Sequence, residues 1–237
     1  MRSGETWAVV PVKPFRLAKQ RLASVLDERD RFDLARVMLE DVLSTLDACR
    51  HRLAGVIVVT ADEEASTIAR RHDASVFVET GAIGLNVALT LVVDHLARRV
   101  GTGMIVVPAD LPHVSSGDIE AMVDLIRRAP AVALVRANEG GTNLLACRPA
   151  AVIAPAFGPD SFNAHCEAAT RSGITPTVRF APHLQLDIDR PQDLVAFMAG
   201  DSSTRTHAYL SKRRIRQRLR EQLQGTSRPG NFERGRG

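Results

Sequence analysis

Short apolar runs alternate with amphipathic segments along the first 200 residues, and this alternation constrains the fold more than any other feature. Seven runs predict strands: Trp7–Val12, Val56–Thr60, Ser75–Val78, Met104–Val107, Ala131–Val135, Asn143–Cys147 and Leu184–Ile188. The intervening segments predict helices: Asp30–Ala48, Glu63–His72, Asn86–Arg99, Ser116–Arg128, Ser161–Arg171 and a last helix that begins at Pro191. Strands that alternate with helices favour an α/β fold, with a mostly parallel sheet covered on both faces.

One connection departs from the parallel pattern. The fifth and sixth predicted strands are joined by Glu139-Gly140-Gly141, which is too short for a crossover helix. A glycine turn of this kind favours a hairpin, so we expect a mixed sheet.

The charge is divided unevenly along the chain. Residues 201–237 carry ten Lys and Arg against three acids, a net charge of +7. The whole chain has a net charge of +4, which leaves about −3 for residues 1–200 (4 − 7 = −3). We therefore predict a folded domain over residues 1–200 and a basic C-terminal tail over residues 201–237, part helical near Leu210–Leu223 and part disordered.

Cysteine content and hydropathy point to a cytoplasmic protein. The three cysteines are an odd number without a CxxC pair, which is typical of thiols in a reducing compartment. We expect no membrane segment, since no apolar run approaches the roughly 18 residues that a bilayer span requires. We expect no signal peptide either, because the first predicted strand begins within a few residues of Met1.

Acidic residues follow two of the predicted strands. Asp110 lies between two prolines after the fourth strand, and Asp187 and Asp189 flank Ile188 at the end of the last. Ligands of open α/β sheets bind outside the carboxyl ends of the strands, so we expect these acids to converge there. Carboxylates without His or Cys suit a hard divalent cation better than zinc. An alternative for Asp189 is that it N-caps the helix at Pro191.

A cationic loop follows the first strand and contains Lys13, Arg16, Lys19 and Arg21. The chain holds neither a Walker A loop nor a G-x-G-x-x-G fingerprint, so side chains must replace the backbone amides that bind phosphate in those motifs. Lys13 and Arg21 could hold a triphosphate, although a solvated charged face is the alternative.

Six segments in order resemble one family: Val10-Pro11-Val12-Lys13-Pro14 with Ala18-Lys19 and Arg21-Leu22, Gly84-Leu85-Asn86, Pro108-Ala109-Asp110-Leu111-Pro112, Gly141-Thr142-Asn143, Phe157-Gly158-Pro159-Asp160-Ser161-Phe162, and Leu186-Asp187-Ile188-Asp189. It is the 2-phospho-L-lactate guanylyltransferase family of coenzyme F-420 biosynthesis, which includes phosphoenolpyruvate guanylyltransferases. The resemblance runs from about Ala8 to Ala199.

The resemblance implies a nucleotidyltransferase (GT-A-like, Rossmann-like) fold, with GTP as donor and Mg²⁺ as cofactor. It implies that the metal ligands are Asp110, Asp187 and Asp189, with one or two ions left open. It implies that the cations at the triphosphate are Lys13, Lys19 and Arg21, which together with Asp110 form the catalytic set. It implies that the nucleoside lies against Gly84, Leu85 and Asn86, and that the acceptor acid receives hydrogen bonds from Thr142, Gly158 and Ser161.

The acceptor stays open among 2-phospho-L-lactate, phosphoenolpyruvate and 3-phospho-D-glycerate. A homodimer is compatible with the resemblance. One alternative is a sugar-phosphate or molybdopterin-type nucleotidyltransferase. Another is a polyanion-binding protein that acts through the tail, which is the one part where nucleic-acid binding would be expected.

Overall fold

The computed structural model describes residues 5–78, 84–200, 202–212, 215 and 217–219. Most of the glycine-containing stretch Thr80–Leu85 and most of the predicted tail therefore lie outside the described residues.

A mixed sheet of seven strands forms the centre of the described fold, in the order β3-β2-β1-β4-β6-β5-β7. The strands are β1 (Thr6–Pro11), β2 (Gly55–Thr60), β3 (Ser75–Val78), β4 (Gly103–Val106), β5 (Ala131–Arg136), β6 (Thr142–Arg148) and β7 (Thr177–Val178). Strand β6 is antiparallel to both β4 and β5, and the other pairs are parallel. The expected hairpin and the mostly parallel sheet are confirmed.

Helices cover both faces of the sheet, as predicted. They are α1 (Glu28–Ala48), α2 (Glu63–Arg71), α3 (Leu85–Ala97), α4 (Ser116–Leu125), α5 (Ser161–Arg171), α6 (Pro191–Ala199) and α7 (Arg205–Leu210). Successive residues of β1 point to opposite faces, so Ala8 and Val10 pack with α1, α2, α4, α6 and α7, whereas Val9 packs with α3 and α5. No described helix has both the length and the hydropathy needed to cross a bilayer.

The predicted strand Leu184–Ile188 is wrong. Pro182–Leu184 is a single 3-10 turn and residues 185–190 are irregular, while the short strand β7 pairs with β5 instead. The backbone of this segment bonds to groups at the end of the sheet. Asn143 Nδ2 donates to the Leu184 carbonyl at 2.6 Å. The apolar alternation that suggested a strand reflects packing under α6, where Leu184 and Ile188 are fully buried.

The tail begins with a helix that packs on α1. Helix α7 precedes the predicted helix Leu210–Leu223, and Thr204 caps it by accepting from the His207 amide. Within that predicted helix, residues 215 and 217–219 are helical, and residues 213, 214, 216 and 220–223 lie outside the described residues. The buried Asp41 carboxylate of α1 accepts hydrogen bonds from the backbone amides of Arg205 and Thr206. The start of the tail therefore packs on the body, whereas the division at residue 200 stays a prediction.

Candidate active site

The predicted acids meet at the carboxyl end of the parallel pair β1 and β4. Asp110 follows β4, and the irregular segment 185–190 brings Asp187 and Asp189 beside it. One carboxylate oxygen from each of the three residues lies within 4.8 Å of the others, and all three residues are half-buried. The three acids converge as the sequence predicted, although an irregular segment and not a strand places Asp187 and Asp189.

Backbone contacts hold the two later acids in place. Ile188 is fully buried and turns inward, and its amide donates to the Asp110 carbonyl at 3.4 Å. The Asp193 carboxylate, in the first turn of α6, accepts from the amides of Asp189 at 3.0 Å and Arg190 at 2.6 Å. The alternative that Asp189 caps α6 is therefore wrong, because Arg190 is the N-cap residue and Asp193 supplies the carboxylate. The Asp189 side chain remains available to the acid cluster.

Lys19 is bound between two of the acids. Its Nζ lies 2.7 Å from Asp110 Oδ2 and 2.9 Å from Asp189 Oδ1, and its side chain is only 6% exposed. The residue lies between two 3-10 turns in the left-handed conformation, with φ 54°. Burial alone lowers the pKa of Lys19, but the charges of Asp110 and Asp189 outweigh it, so that the pKa is raised. The ammonium is therefore charged.

The third acid lacks such compensation. Burial, followed by the negative charges of Asp110 and Asp189, raises the pKa of Asp187 to about 6. Burial also raises the pKa of Asp189, but the charge of Lys19, with Arg21 and Lys13, reverses this and lowers it. Positive charge is thus short at Asp187, where three carboxylates converge. A hard divalent cation fits this oxygen donor set.

The other predicted cations surround the cluster at the surface. Lys13 is exposed and lies close enough to lower the pKa of Asp189 by its charge. Arg21 is also exposed, with one guanidinium nitrogen 3.4 Å from Asp189 Oδ2. Arg16 is directed elsewhere, with Nη1 3.8 Å from Glu28 Oε1. The loop therefore presents Lys13 and Arg21 at the rim.

The predicted nucleoside segment begins helix α3. Gly84 is its N-cap residue with φ 85°, a conformation that favours glycine, and Leu85 is the first helical residue. The Asn86 amide is engaged with Phe157: Nδ2 donates to the Phe157 carbonyl at 2.9 Å, and Oδ1 accepts from the Phe157 amide at 2.7 Å. Asn86 therefore holds the loop that contains Gly158 against α3. Its contact with a nucleoside stays a prediction.

The predicted acceptor residues surround a buried neutral histidine. His165 Nε2 accepts from the Ala156 amide at 2.9 Å, so its Nδ1 carries the proton and donates to Thr142 Oγ1 at 2.9 Å. Ser161 Oγ donates to the same Thr142 oxygen at 3.3 Å. Burial lowers the pKa of His165 to about 4. Gly158, in contrast, is exposed.

This hydrogen-bonded chain gives His165 a structural position that its sequence context did not reveal. His113, the other histidine near a proposed loop, packs on Phe197 with ring centroids 4.2 Å apart. No role was predicted for either residue. The interactions of His165 reach across 23 residues to Thr142, so no local pattern marks them.

A salt-bridge network at the β5–β6 turn was also missed. Glu139 Oε1 lies 2.9 Å from Arg190 Nε, and Glu139 Oε2 lies 3.8 Å from Arg21 Nη1. Glu139 was noted only as part of the glycine turn. Its position next to Arg190 results from the irregular course of residues 185–190.

The family model and three curated relatives that match this chain are all named as guanylyltransferases. Residues 6–228 match the family model described as guanylyl transferase CofC like. A phosphoenolpyruvate guanylyltransferase of Roseiflexus sp. (strain RS-1) is 37% identical over 201 residues, 83% of this chain and 87% of the relative. A 2-phospho-L-lactate guanylyltransferase of Methanothermobacter thermautotrophicus is 33% identical over 89% of this chain and 92% of its own. A 3-phospho-D-glycerate guanylyltransferase of Phenylobacterium zucineum is 32% identical over 89% and 98%.

Solved structures support the fold. A Desulfovibrio desulfuricans G20 protein assigned to the nucleotide-diphospho-sugar transferases superimposes with a TM-score of 0.69 at 18% identity, covering 90% of this chain and 97% of its own. A nucleotidyl transferase of Methanothermobacter thermautotrophicus gives a TM-score of 0.57 at 16% identity, over 81% and 95%. The chain therefore has the nucleotidyltransferase fold that its sequence predicted.

Proposed function

This chain belongs to the CofC-like guanylyl transferase family, and we propose that it transfers the GMP unit of GTP to the phosphate of a small phosphorylated acid. The observation that carries the proposal is the group of three carboxylates beside a cationic loop at the end of β1 and β4. The curated relatives are named for phosphoenolpyruvate, 2-phospho-L-lactate or 3-phospho-D-glycerate, so the acceptor is a three-carbon acid of this kind. The product would enter coenzyme F-420 biosynthesis in the cytoplasm.

Asp110, Asp187 and Asp189 would hold magnesium. Their oxygens are the ligands that a hard cation prefers, and the raised pKa of Asp187 marks a place where positive charge is lacking. When bound, the metal would screen the repulsion between the two anionic substrates and stabilise the charge that develops on the α-phosphate.

Lys13, Lys19 and Arg21 would bind the triphosphate. Lys13 and Arg21 are exposed at the rim, whereas Lys19 lies at the bottom between two acids. An acceptor phosphate oxygen would attack the α-phosphorus of GTP while the bond to the bridging oxygen of the β-phosphate breaks. The attacking oxygen is already an anion, so the step requires no general base. The cations would stabilise the departing pyrophosphate.

The acceptor would lie between the acids and the amino end of α5. Thr142 belongs to strand β6, next to β4, and Ser161 begins α5. The exposed backbone of Gly158 would offer hydrogen bonds on this side, and Asn86 holds that loop through Phe157. The nucleoside would lie along the start of α3, at Gly84 and Leu85.

One plate assay tests the reaction. The purified protein is incubated with magnesium, each of the four nucleoside triphosphates and each of the three acids, and released pyrophosphate is measured. We expect release that requires an acid and prefers GTP. A folded protein that releases no pyrophosphate with any pair would contradict the proposed function.

A further inference from the structure

The β5–β6 turn connects the two sides of the proposed active site. Its Asn138 amide donates to the Gln185 carbonyl at 3.0 Å, just before the paired acids. Its Gly140 carbonyl accepts from the Phe162 amide at 3.2 Å, in the first turn of α5. Glu139 is therefore held between the metal ligands and the predicted acceptor residues by backbone bonds on both sides.

Glu139 forms an ion pair with an arginine beside the acid cluster. Arg190 directly follows the ligand Asp189, and its Nε lies 2.9 Å from Glu139 Oε1. The Arg190 side chain is 52% exposed and that of Glu139 is 57% exposed. The pair thus lies at the mouth of the site, in contact with solvent.

The charged residues of the proposed site include one cation that could bind the carboxylate of the acceptor. Before magnesium binds, the formal charges of the four cations (Lys13, Lys19, Arg21 and Arg190) and the four acids (Asp110, Asp187, Asp189 and Glu139) placed at the site cancel. The proposed triphosphate occupies the first three cations, and the hydroxyls of Thr142 and Ser161 are neutral. The acceptors for which the relatives are named all carry a carboxylate as well as a phosphate. Arg190 is the remaining cation of this set.

We propose that Arg190 binds the carboxylate of the acceptor acid, which replaces the Glu139 carboxylate as the partner of the guanidinium. The inference rests on the proposed function, since it assigns a residue to the same acceptor site. A guanidinium presents two parallel donors that match a carboxylate. An exposed ion pair contributes little to stability, so exchanging the Glu139 carboxylate for that of the substrate costs little. Arg190 thereby becomes a specificity-determining residue for phosphorylated acids over phosphates that lack a carboxylate.

Equilibrium binding tests this assignment without turnover. Each of the three acids is titrated calorimetrically into wild type with magnesium and the α,β-methylene analogue of GTP, and the acid that binds most tightly is kept. A hydrogen bond to a charged group is worth about 1.5–3 kcal/mol, so Arg190→Gln should weaken this acid roughly 10- to 100-fold. Arg190→Lys should recover part of the loss, and Glu139→Gln should leave binding equal or a few-fold tighter.

Two controls make the test specific for the carboxylate. Arg171 and Glu167 on α5 form a comparable exposed pair at 3.5 Å, so Arg171→Gln should bind the acid as wild type does. Inorganic phosphate, which lacks a carboxylate, should bind wild type and Arg190→Gln equally. The assignment of Arg190 would be overturned if wild type and Arg190→Gln bound the acid equally. It would also be overturned if Arg190→Gln lost as much affinity for inorganic phosphate as for the acid. Neither result would contradict the proposed function. Failure of all three acids to bind wild type would overturn the proposed function together with the assignment.

Discussion

The two sides of the proposed active site stabilise their buried polar groups differently: one side uses ion pairs between charged groups, and the other uses hydrogen bonds between neutral groups. On the metal side, Lys19 joins two of three converging carboxylates, and Asp187 is left with too little positive charge. On the acceptor side, Thr142, Ser161 and His165 form a chain of hydrogen bonds in which the histidine is neutral. The charged side has the carboxylates and cations that the proposed binding of magnesium and triphosphate would use. The neutral side gives the acceptor loop a fixed shape.

The two sides also differ in the effect of burial on proton binding, because burial favours the protonated form of Asp187 and the neutral form of His165. The pKa of Asp187 is raised to about 6, so the folded protein holds this proton more tightly than the unfolded chain does. The pKa of His165 is lowered to about 4, so the folded protein binds this proton less tightly than the unfolded chain does. One group therefore favours the folded state at low pH and the other at high pH.

The largest expected effect is loss of turnover on the metal side. Asp187→Asn removes the charge of one proposed metal ligand while preserving its shape, and guanylyl transfer should fall by roughly 10²–10³-fold, the scale of losing one preorganised electrostatic contact. Pyrophosphate release measures it. Asp94→Asn, the same substitution at an exposed position on α3, should retain wild-type activity. Wild-type turnover in Asp187→Asn would remove the residue from the site.

The next effect is on stability. Lys19→Met leaves Asp110 and Asp189 facing each other without the ammonium between them. We expect the free energy of unfolding without metal to fall by about 1–3 kcal/mol, less than for a fully buried pair because both acids are partly solvated. Urea denaturation measures it. Added magnesium should recover more stability in this variant than in wild type, and an unchanged denaturation midpoint would show that the contact contributes nothing.

The third prediction separates the two sides by pH. Between about pH 4 and 6, the Asp187 contribution to the free energy of unfolding of the metal-free protein should fall as pH rises. Between about pH 6.5 and 4, the His165 contribution should be lost as pH falls. Thermal melts of wild type, Asp187→Asn and His165→Gln across this range test both. Each variant should lose the part of the pH dependence of stability that its substituted group contributes. If the contributions of Asp187 and His165 had the same sign, the contrast between the two sides would be contradicted.

The smallest effect concerns the weakest bond of the neutral chain. Ser161 Oγ lies 3.3 Å from Thr142 Oγ1, so Ser161→Ala should cost only about 0.5–1.5 kcal/mol of unfolding free energy. If Ser161 also contacts the acceptor, the KM for the acid should rise while the KM for GTP stays unchanged. Equal changes in both KM values would indicate a general loosening of the loop instead.

Much of the fold was predictable because the spacing of apolar residues within short segments indicates where strands and helices form. The first six predicted strands and all six predicted helices are present, since alternation and helical periodicity are properties of neighbouring residues. The strand predicted at Leu184–Ile188 is absent because the alternation there reflects burial of Leu184 and Ile188 in the core beside α6, without pairing to another strand. Its backbone bonds go to Asn143 and other residues far away in sequence, which periodicity does not register.

The sequence by itself determined the order of the elements, the placement of Asp110 after β4 and the pairing of Asp187 with Asp189 around an inward Ile188. Only the tertiary structure decided that Lys19 is buried between acids 91 and 170 residues away, that His165 holds Thr142, and that Glu139 meets Arg190. Strands and helices arise from short-range geometry that is repeated along the chain. Salt bridges and hydrogen bonds between distant segments depend on how those elements pack, and they leave no periodic trace in the residues that form them.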